Sequence, residues 1–237
     1  MDKRYSIITG YWSGTGWRGE DKDQKQRFFE TWWKNTKRFT SPVDVFVINS
    51  NSAQVPINKH GKWIDLSFNL GHVHDLDASN YRNKRFGGWS MTFIMGAMFC
   101  YANNCDFIFK EQDCLAFGSW VDRMYEDLHR TGASMLVGRN RDANGQGVEQ
   151  SLMIIKHEFI LPFVTAYLSF PADDAGGNFT RPEQKFRLLW QQMFGPQIAE
   201  LSFGYGRARP PAYDQFPFYL QQLLPPELED LKAKHLI

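Results

Sequence analysis

The chain reads DFIFKEQDCLAFG over residues 106–118, and this segment indicates how the whole chain is organised. The apolar residues 107–109 predict a buried strand, which ends at two acids, Glu111 and Asp113. Residues i and i+2 of an extended strand point to the same face. Two carboxylates held side by side favour a positive charge between them, and a divalent cation carried by a diphosphate is one such charge. The alternative is a strand end with two solvated acids.

Length and composition predict one soluble domain, residues 1–237. The formal net charge of +1 gives no broad basic field, so we expect no nucleic-acid partner. The chain contains 20 Phe, 9 Tyr and 8 Trp, an aromatic surplus that suits either a well-packed core or stacking on sugar rings. The aromatic residues 213–219 are expected to cover an acceptor site or to form an interface.

The three cysteines, Cys100, Cys105 and Cys114, are irregularly spaced, which argues against a disulfide framework and a structural zinc site. The first residues carry no signal-peptide pattern, and no apolar run is long enough to cross a bilayer. We therefore expect no transmembrane segment and a cytoplasmic protein, with attachment to the inner membrane surface left open.

Strand-like and helix-like segments alternate along the first half of the chain, which predicts an α/β, Rossmann-like domain with a mostly parallel central sheet flanked by helices. In such sheets, ligands bind beyond the carboxyl ends of the strands. The other strands are predicted at 5–8, 43–48, 63–66, 115–117, 133–137, 151–155 and 198–203. The helices are predicted at 24–38, 89–102, 120–131, 157–168, 182–194 and 227–234.

The order of these parts resembles the glycosyltransferases with the GT-A fold over roughly residues 5–223. In that family an apolar strand runs into Asp-x-Asp, and the acids hold Mn²⁺ or Mg²⁺ on the diphosphate of a nucleotide-sugar. Here the motif is Glu111-Gln112-Asp113, in which the first acid reaches one methylene further. The resemblance implies that Asp113 is a metal ligand, that Glu111 is a second ligand or a ribose contact, and that Gln112 lies in the nucleotide site.

The resemblance also divides the chain into a nucleotide-binding half, 1–118, and an acceptor-binding half with the C-terminal tail, 119–237. It places the nucleotide-sugar at the ends of the first two strands and before the apolar helix. The residues concerned are Thr9, Gly10, Tyr11, Asn49, Ser50, Lys84, Arg85 and Trp89. For Lys84 and Arg85 the alternative is a charged side chain on a solvated loop.

Two glutamates are candidates for the catalytic base. Residues 148–156 resemble the acceptor-side strand of the family, and residues 181–186 resemble its P-E-D/Q-x-x-F helix start. If the reaction inverts the anomeric centre, a carboxylate must deprotonate the acceptor hydroxyl, and Glu149 or Glu183 is predicted to do so. If it retains the configuration, neither is required, and Glu183 is then a plain helix-start residue.

Many metal-dependent members of the family use a late histidine as a further ligand, and residues 201–209 contain none. Arg207 or Arg209 is predicted to neutralise the leaving diphosphate instead, because a guanidinium forks onto phosphate oxygens. Docking of the tail is the alternative for both arginines. A second cluster is either a metal site or a solvated loop, and consists of His72, His74, Asp75 and Asp77.

These patterns predict a glycosyltransferase of polysaccharide biosynthesis that moves a sugar from a UDP- or GDP-linked donor to a hydroxyl of a glycan, a lipid-linked glycan or another acceptor. One alternative is a sugar nucleotidyltransferase, which should carry a Gly-rich basic loop after its first strand. Residues 9–18 contain the glycines but only one arginine. Another alternative is a non-catalytic carbohydrate-binding protein on a degenerate GT-A core.

Overall fold

The computed structural model describes residues 3–13, 22–52, 55–67, 88–139, 148–170, 182–209, 212–213 and 215–237. Within these residues the chain forms nine strands and six α-helices. The strands are β1 (Tyr5–Tyr11), β2 (Asp44–Asn49), β3 (Lys62–Asp65), β4 (Asp106–Lys110), β5 (Cys114–Phe117), β6 (Met135–Gly138), β7 (Glu149–Ile155), β8 (Ile198–Glu200) and β9 (Phe218–Gln221). The helices are α1 (Lys22–Phe39), α2 (Gly88–Ala102), α3 (Trp120–Thr131), α4 (His157–Ser169), α5 (Pro182–Leu189) and α6 (Pro225–Ala233).

Seven strands form the central sheet in the order β3-β2-β1-β4-β7-β6-β8. The strands β3, β2, β1 and β4 are mutually parallel, whereas β7 is antiparallel to both of its neighbours, and β8 is parallel to β6. The predicted α/β class with a mostly parallel sheet is therefore confirmed. Because β7 is reversed, its first residue, Glu149, lies at the edge where β1, β2 and β4 end.

Successive residues of the central strands point to opposite faces, and each face has its own core. Ile7 and Val47 pack with α1, α3, α6, β5 and β9, whereas Ile8 and Ile48 pack with α2, α4 and α5. Helix α2 is apolar on all sides and packs against β1, β2, β4 and α4, while Met98 and Tyr101 lie on its exposed side. It lies close to β1, because a Cβ added at Gly96 would be 2.4 Å from Cγ2 of Ile8.

Most predicted elements are confirmed, with differences at their ends. The last predicted strand, 198–203, is wrong in length, since only Ile198–Glu200 pairs with β6. The predicted helix 182–194 is α-helical only at Pro182–Leu189 and continues as a π-helical turn at Trp190–Phe194. None of the helices in the described ranges combines the length and the apolar character that a bilayer crossing requires.

Candidate active site

The acid motif forms a tight turn at the carboxyl edge of the sheet. The Glu111 amide donates to the Ser151 carbonyl at 2.9 Å, which continues the β4–β7 ladder by one residue. The Cys114 amide then donates to the Glu111 carbonyl at 3.0 Å, an i to i+3 bond typical of a β-turn. The expectation of an extended strand through Glu111 and Asp113 is therefore wrong. The turn redirects the chain into β5, which leaves the central sheet and pairs with β9.

Glu111 is held from the α2 side and lies in a strongly acidic environment. Nε1 of Trp89 donates to Oε1 of Glu111 at 2.7 Å. Burial, together with the charges of Asp113, Glu149 and Glu183, raises the pKa of Glu111 well above its usual range. The carboxylates of Asp113, Glu149 and Glu183 therefore all lie close enough to Glu111 to act on it, although the four acids come from three separate parts of the sequence.

Glu149 joins this group from the first residue of β7. Its Oε1 accepts a hydrogen bond from the Ser151 amide at 2.9 Å, and its Oε2 accepts one from Nε2 of Gln221 at 2.8 Å. Burial raises the pKa of Glu149, while the hydrogen bonds from Ser151 and the charge of Arg207 lower it. Sequence reasoning missed Gln221, because no pattern in the C-terminal tail connects it with residue 149.

The other predicted base, Glu183, lies at the second position of α5. Its carbonyl accepts a hydrogen bond from the Val148 amide at 3.3 Å, so the start of α5 adjoins the start of β7. The Glu183 carboxylate contributes to the raised pKa of Glu111. Both predicted bases are thus brought to the acid turn, and the choice between them stays a prediction.

The acid turn fits a divalent cation that is shared with a diphosphate. Within the ranges that the structure describes, no group of three or more His, Cys, Asp or Glu side chains is arranged to hold a metal ion by itself. Mg²⁺ is commonly held by one or two carboxylates together with phosphate oxygens and water. Glu111 and Asp113 supply two such carboxylates, and a cation between them would offset the burial and the repulsion by neighbouring acids that raise the pKa of Glu111.

The two arginines that the sequence could not separate have different surroundings. Arg209 donates from Nη2 to the carbonyls of Gln221 at 2.8 Å and Gln222 at 3.0 Å, and its Nε forms an ion pair with Glu227. Arg209 therefore docks the tail. The Arg207 side chain is exposed and lies close enough to Glu149 to lower the pKa of that carboxyl. Of the two, Arg207 is the one that faces the acidic site.

The residues at the end of β1 that were predicted to contact the nucleotide are mostly buried. The side chains of Thr9 and Tyr11 are 0% and 2% exposed, and the Tyr11 ring packs edge-on against Phe29. The Tyr11 carbonyl accepts a hydrogen bond from the Ser50 amide at 3.1 Å, so the ends of β1 and β2 are joined. The nucleotide contacts of Thr9, Gly10, Tyr11 and Ser50 stay predictions, restricted for Thr9 and Tyr11 to main-chain atoms.

The amides of Gln112 and Asn49 connect neighbouring strand ends. The Trp12 amide donates to Oε1 of Gln112 at 3.2 Å, which ties the end of β1 to the acid turn. Nδ2 of Asn49 donates to Oδ1 of Asp65 at 2.9 Å, and this bond is the main cause of the lowered pKa of Asp65. Sequence reasoning missed Asp65, although its position at the end of β3 is the signal that could have identified it.

Some predicted residues lie outside the described ranges. Lys84 and Arg85, which were predicted to contact the nucleotide-sugar, belong to this group. The alternative metal cluster His72, His74, Asp75 and Asp77 does too. Trp89, which was also predicted to contact the nucleotide-sugar, lies within the described ranges and donates a hydrogen bond to Glu111.

The chain resembles known proteins in structure but not in sequence. No protein-family model matches the chain, and no curated protein matches it in sequence. A glycosyltransferase involved in the glycosylation of the major capsid of PBCV-1 aligns over 99% of this chain and 100% of its own, with a TM-score of 0.50 and 7% identity. The glycosyltransferase GlyE of Streptococcus pneumoniae TIGR4 aligns over 84% of this chain with a TM-score of 0.49 and 14% identity.

Mouse xyloside xylosyltransferase 1 aligns over 87% of both chains, with a TM-score of 0.47 and 10% identity. The present chain spans only 45% of the length of GlyE. The likeness to the PBCV-1 protein extends over the whole of both chains and concerns the fold. The chain has a GT-A-like fold.

Proposed function

We propose that the protein transfers a sugar from a nucleotide-diphosphate donor to an acceptor hydroxyl. The observation that carries this proposal is the convergence of Glu111, Asp113 and Glu149 at the carboxyl edge of the sheet, next to Arg207. An α/β sheet binds its ligand at that edge. The combination of acids for a cation, a carboxylate with a raised pKa and an exposed guanidinium suits a reaction in which a diphosphate leaves.

In this proposal, Asp113 and Glu111 are the residues that would hold a divalent cation, Mg²⁺ or Mn²⁺, which would supply positive charge for the donor diphosphate. A bound cation of this kind neutralises the charge that develops on the leaving group. Trp89 restrains Glu111 from one side through its 2.7 Å hydrogen bond, which leaves the second carboxylate oxygen for the cation or for a ribose hydroxyl. Arg207 adds a second positive charge near the departing phosphate oxygens.

Glu149 is the residue that we assign as base. Its raised pKa makes it a stronger base than an ordinary carboxylate, and its two hydrogen bonds fix its orientation. It takes the proton of the acceptor hydroxyl as the oxygen attacks the anomeric carbon, and the nucleoside diphosphate leaves on the opposite side. This assignment implies inversion at the anomeric centre.

Release of nucleoside diphosphate from a panel of UDP-, GDP-, CDP- and ADP-linked sugars, with Mn²⁺, Mg²⁺ or EDTA, tests the proposal. We expect one donor class to be used in the presence of a cation. Asp113→Asn should lower kcat by at least about 100-fold, because the lost ligand is worth several kcal/mol in the transition state. Asp230→Asn, which removes an exposed ion pair with Lys234, is the matched control.

Full activity of Asp113→Asn would overturn the metal assignment. Binding of free sugar without any dependence on nucleotide or cation would instead favour a carbohydrate-binding protein. Formation of pyrophosphate from a nucleoside triphosphate and a sugar phosphate would favour a nucleotidyltransferase.

A further inference from the structure

The C-terminal strand β9 runs directly beside the acid turn. It pairs with β5 in the register Cys114 opposite Gln221, and the Gln222 amide donates to the Asp113 carbonyl at 3.1 Å. On its other side, the Gln221 amide donates to the Gly206 carbonyl at 2.9 Å. Because main-chain bonds fix it on both sides, the end of β9 has a defined position relative to Asp113.

Tyr219 sets the register of β9. Its ring is fully buried, and its hydroxyl accepts a hydrogen bond from the Arg139 amide at 2.9 Å. The Tyr219 ring fits because two of its neighbours are glycines. A Cβ added at Gly138 would lie 2.7 Å from the Tyr219 hydroxyl oxygen, and one added at Gly204 would lie 2.1 Å from Cε1 of Tyr219. Residues two apart on a strand point to the same side, so the docked Tyr219 directs Gln221 toward the same neighbours.

Those neighbours include Glu149. Gln221 is 1% exposed and donates from Nε2 to Oε2 of Glu149 at 2.8 Å, while the Ser151 amide donates to Oε1 at 2.9 Å. One donor on each oxygen prevents the carboxylate from rotating about its last bond. A base that must meet an acceptor hydroxyl gains from such a fixed orientation, because small misplacements of reacting groups are costly.

We propose that Gln221 is a positioning residue for Glu149, so that β9 completes the acceptor half of the active site. This proposal rests on the proposed function, in which Glu149 is the base. Arg209 supports the arrangement from behind, because it binds the carbonyls of Gln221 and Gln222 and pairs with Glu227 of α6. The C-terminal residues thus act on the chemistry through Gln221 and not only on stability.

The test replaces Gln221 by methionine, which preserves length but cannot donate a hydrogen bond. We expect Gln221→Met to lower kcat by roughly 10- to 100-fold. The KM for the donor and the increase in Tm caused by the nucleoside diphosphate should stay at wild-type values, because Gln221 contacts the base and not the diphosphate side. Gln192→Met, an exposed substitution on the π-helical turn, is the matched control with unchanged kinetics.

Gln221→Asn covers the case in which the methionine variant does not fold. It retains an amide but is one methylene too short to reach Glu149, so the same loss of kcat is expected. If the wild type releases nucleoside diphosphate and both variants retain its kcat, the positioning role is overturned while the proposed function stands. The positioning role would also be overturned if both variants raised the donor KM by roughly 10- to 100-fold and left kcat unchanged. A wild type that uses no donor overturns both.

Discussion

Nε1 of Trp89 lies 2.7 Å from Oε1 of Glu111, and this hydrogen bond joins the first turn of α2 to the acid turn. The indole is itself fixed, because it stacks on Phe93 at a centroid distance of 5.5 Å and meets Phe186 edge-on at 5.7 Å. An aspartate at position 111 would place its carboxylate one methylene further from the indole. The glutamate in the motif, a departure from Asp-x-Asp, thus has a structural partner.

Trp89→Phe should weaken binding of the nucleoside diphosphate with Mn²⁺ by roughly 10-fold or more, because a hydrogen bond to a charged group is lost. Isothermal titration calorimetry with the nucleotide at fixed Mn²⁺ measures this. Glu111→Asp should cause a similar loss, and the two changes together should cost less than the sum of the separate effects.

Trp120→Phe is the control for loss of indole volume. Trp120 is fully buried, and among the described residues its Nε1 has no hydrogen-bond partner. This variant should bind the nucleotide as the wild type does. Equal weakening in Trp89→Phe and Trp120→Phe would show that the effect comes from packing and not from Glu111.

Of the two arginines at the start of the tail, Arg207 should matter for activity and Arg209 for stability. Arg207→Ala should lower kcat by roughly 10- to 100-fold with little change in Tm, because its exposed side chain is expected to contact the leaving diphosphate. Arg209→Ala should lower stability by about 2 kcal/mol, or roughly 4 to 8 °C in Tm for a chain of this length, because several hydrogen bonds to carbonyls and an ion pair are lost. A stable, fully active Arg207→Ala would contradict the assignment.

A buried lysine behind the acid turn gives a pH-dependent prediction. Lys110 is 0% exposed and donates from Nζ to Oδ1 of Asn35 at 2.9 Å and to Oγ1 of Thr36 at 2.8 Å. Burial lowers the pKa of Lys110 from 10.5 to about 7. Below pH 7, Lys110 is charged in both the folded and the unfolded state, and burial of this charge lowers the free energy of unfolding. As the pH rises from about 7 to 10.5, the folded state no longer carries the charge, and the free energy of unfolding increases.

Lys110→Met should accordingly be more stable than the wild type at pH 6, with an advantage that shrinks toward pH 10. Urea unfolding at several pH values measures the difference in the free energy of unfolding. A difference that does not change with pH would mean that Lys110 keeps its ordinary pKa in the folded protein.

The contact between α2 and β1 leaves no space for a methyl group at Gly96. A Cβ there would lie 2.4 Å from Cγ2 of Ile8, so Gly96→Ala should destabilise the protein by about 1–3 kcal/mol. In a double-mutant cycle, Ile8→Ala should remove part of this penalty, and the pair should be less destabilising than the sum. If the two destabilising effects simply add, the strain caused by Gly96→Ala does not come from the contact with Ile8.

Much of the fold could be predicted from local patterns. Alternating apolar segments give the α/β class, and the parallel strand ends locate Asn49 and the acid turn at one edge. The direction of β7 could not be predicted, because an apolar run such as residues 151–155 reads equally well in either direction. That direction brings Glu149 to the site, since a parallel strand would place its first residue at the opposite edge.

The remaining features depend on contacts between distant residues. Gln221 and Glu149 are 72 positions apart, and they meet because β9 pairs with β5 and because Tyr219 packs against Gly138 and Gly204. The β5–β9 pair was not predicted, because the tail carries no regular strand pattern. The turn at Glu111–Cys114 was not predicted either, since it contains neither the Gly nor the Pro that marks many turns.

The most direct test of the central claim is the thermal stability of the wild type and of Asp113→Asn with UDP, GDP, CDP or ADP, each with and without Mn²⁺. A ligand that binds only the folded state raises Tm. We predict that one nucleoside diphosphate raises the Tm of the wild type only when Mn²⁺ is present, and that Asp113→Asn loses this increase. No increase with any nucleotide, or an equal increase in Asp113→Asn, would contradict a metal-dependent nucleotide-sugar site at the acid turn.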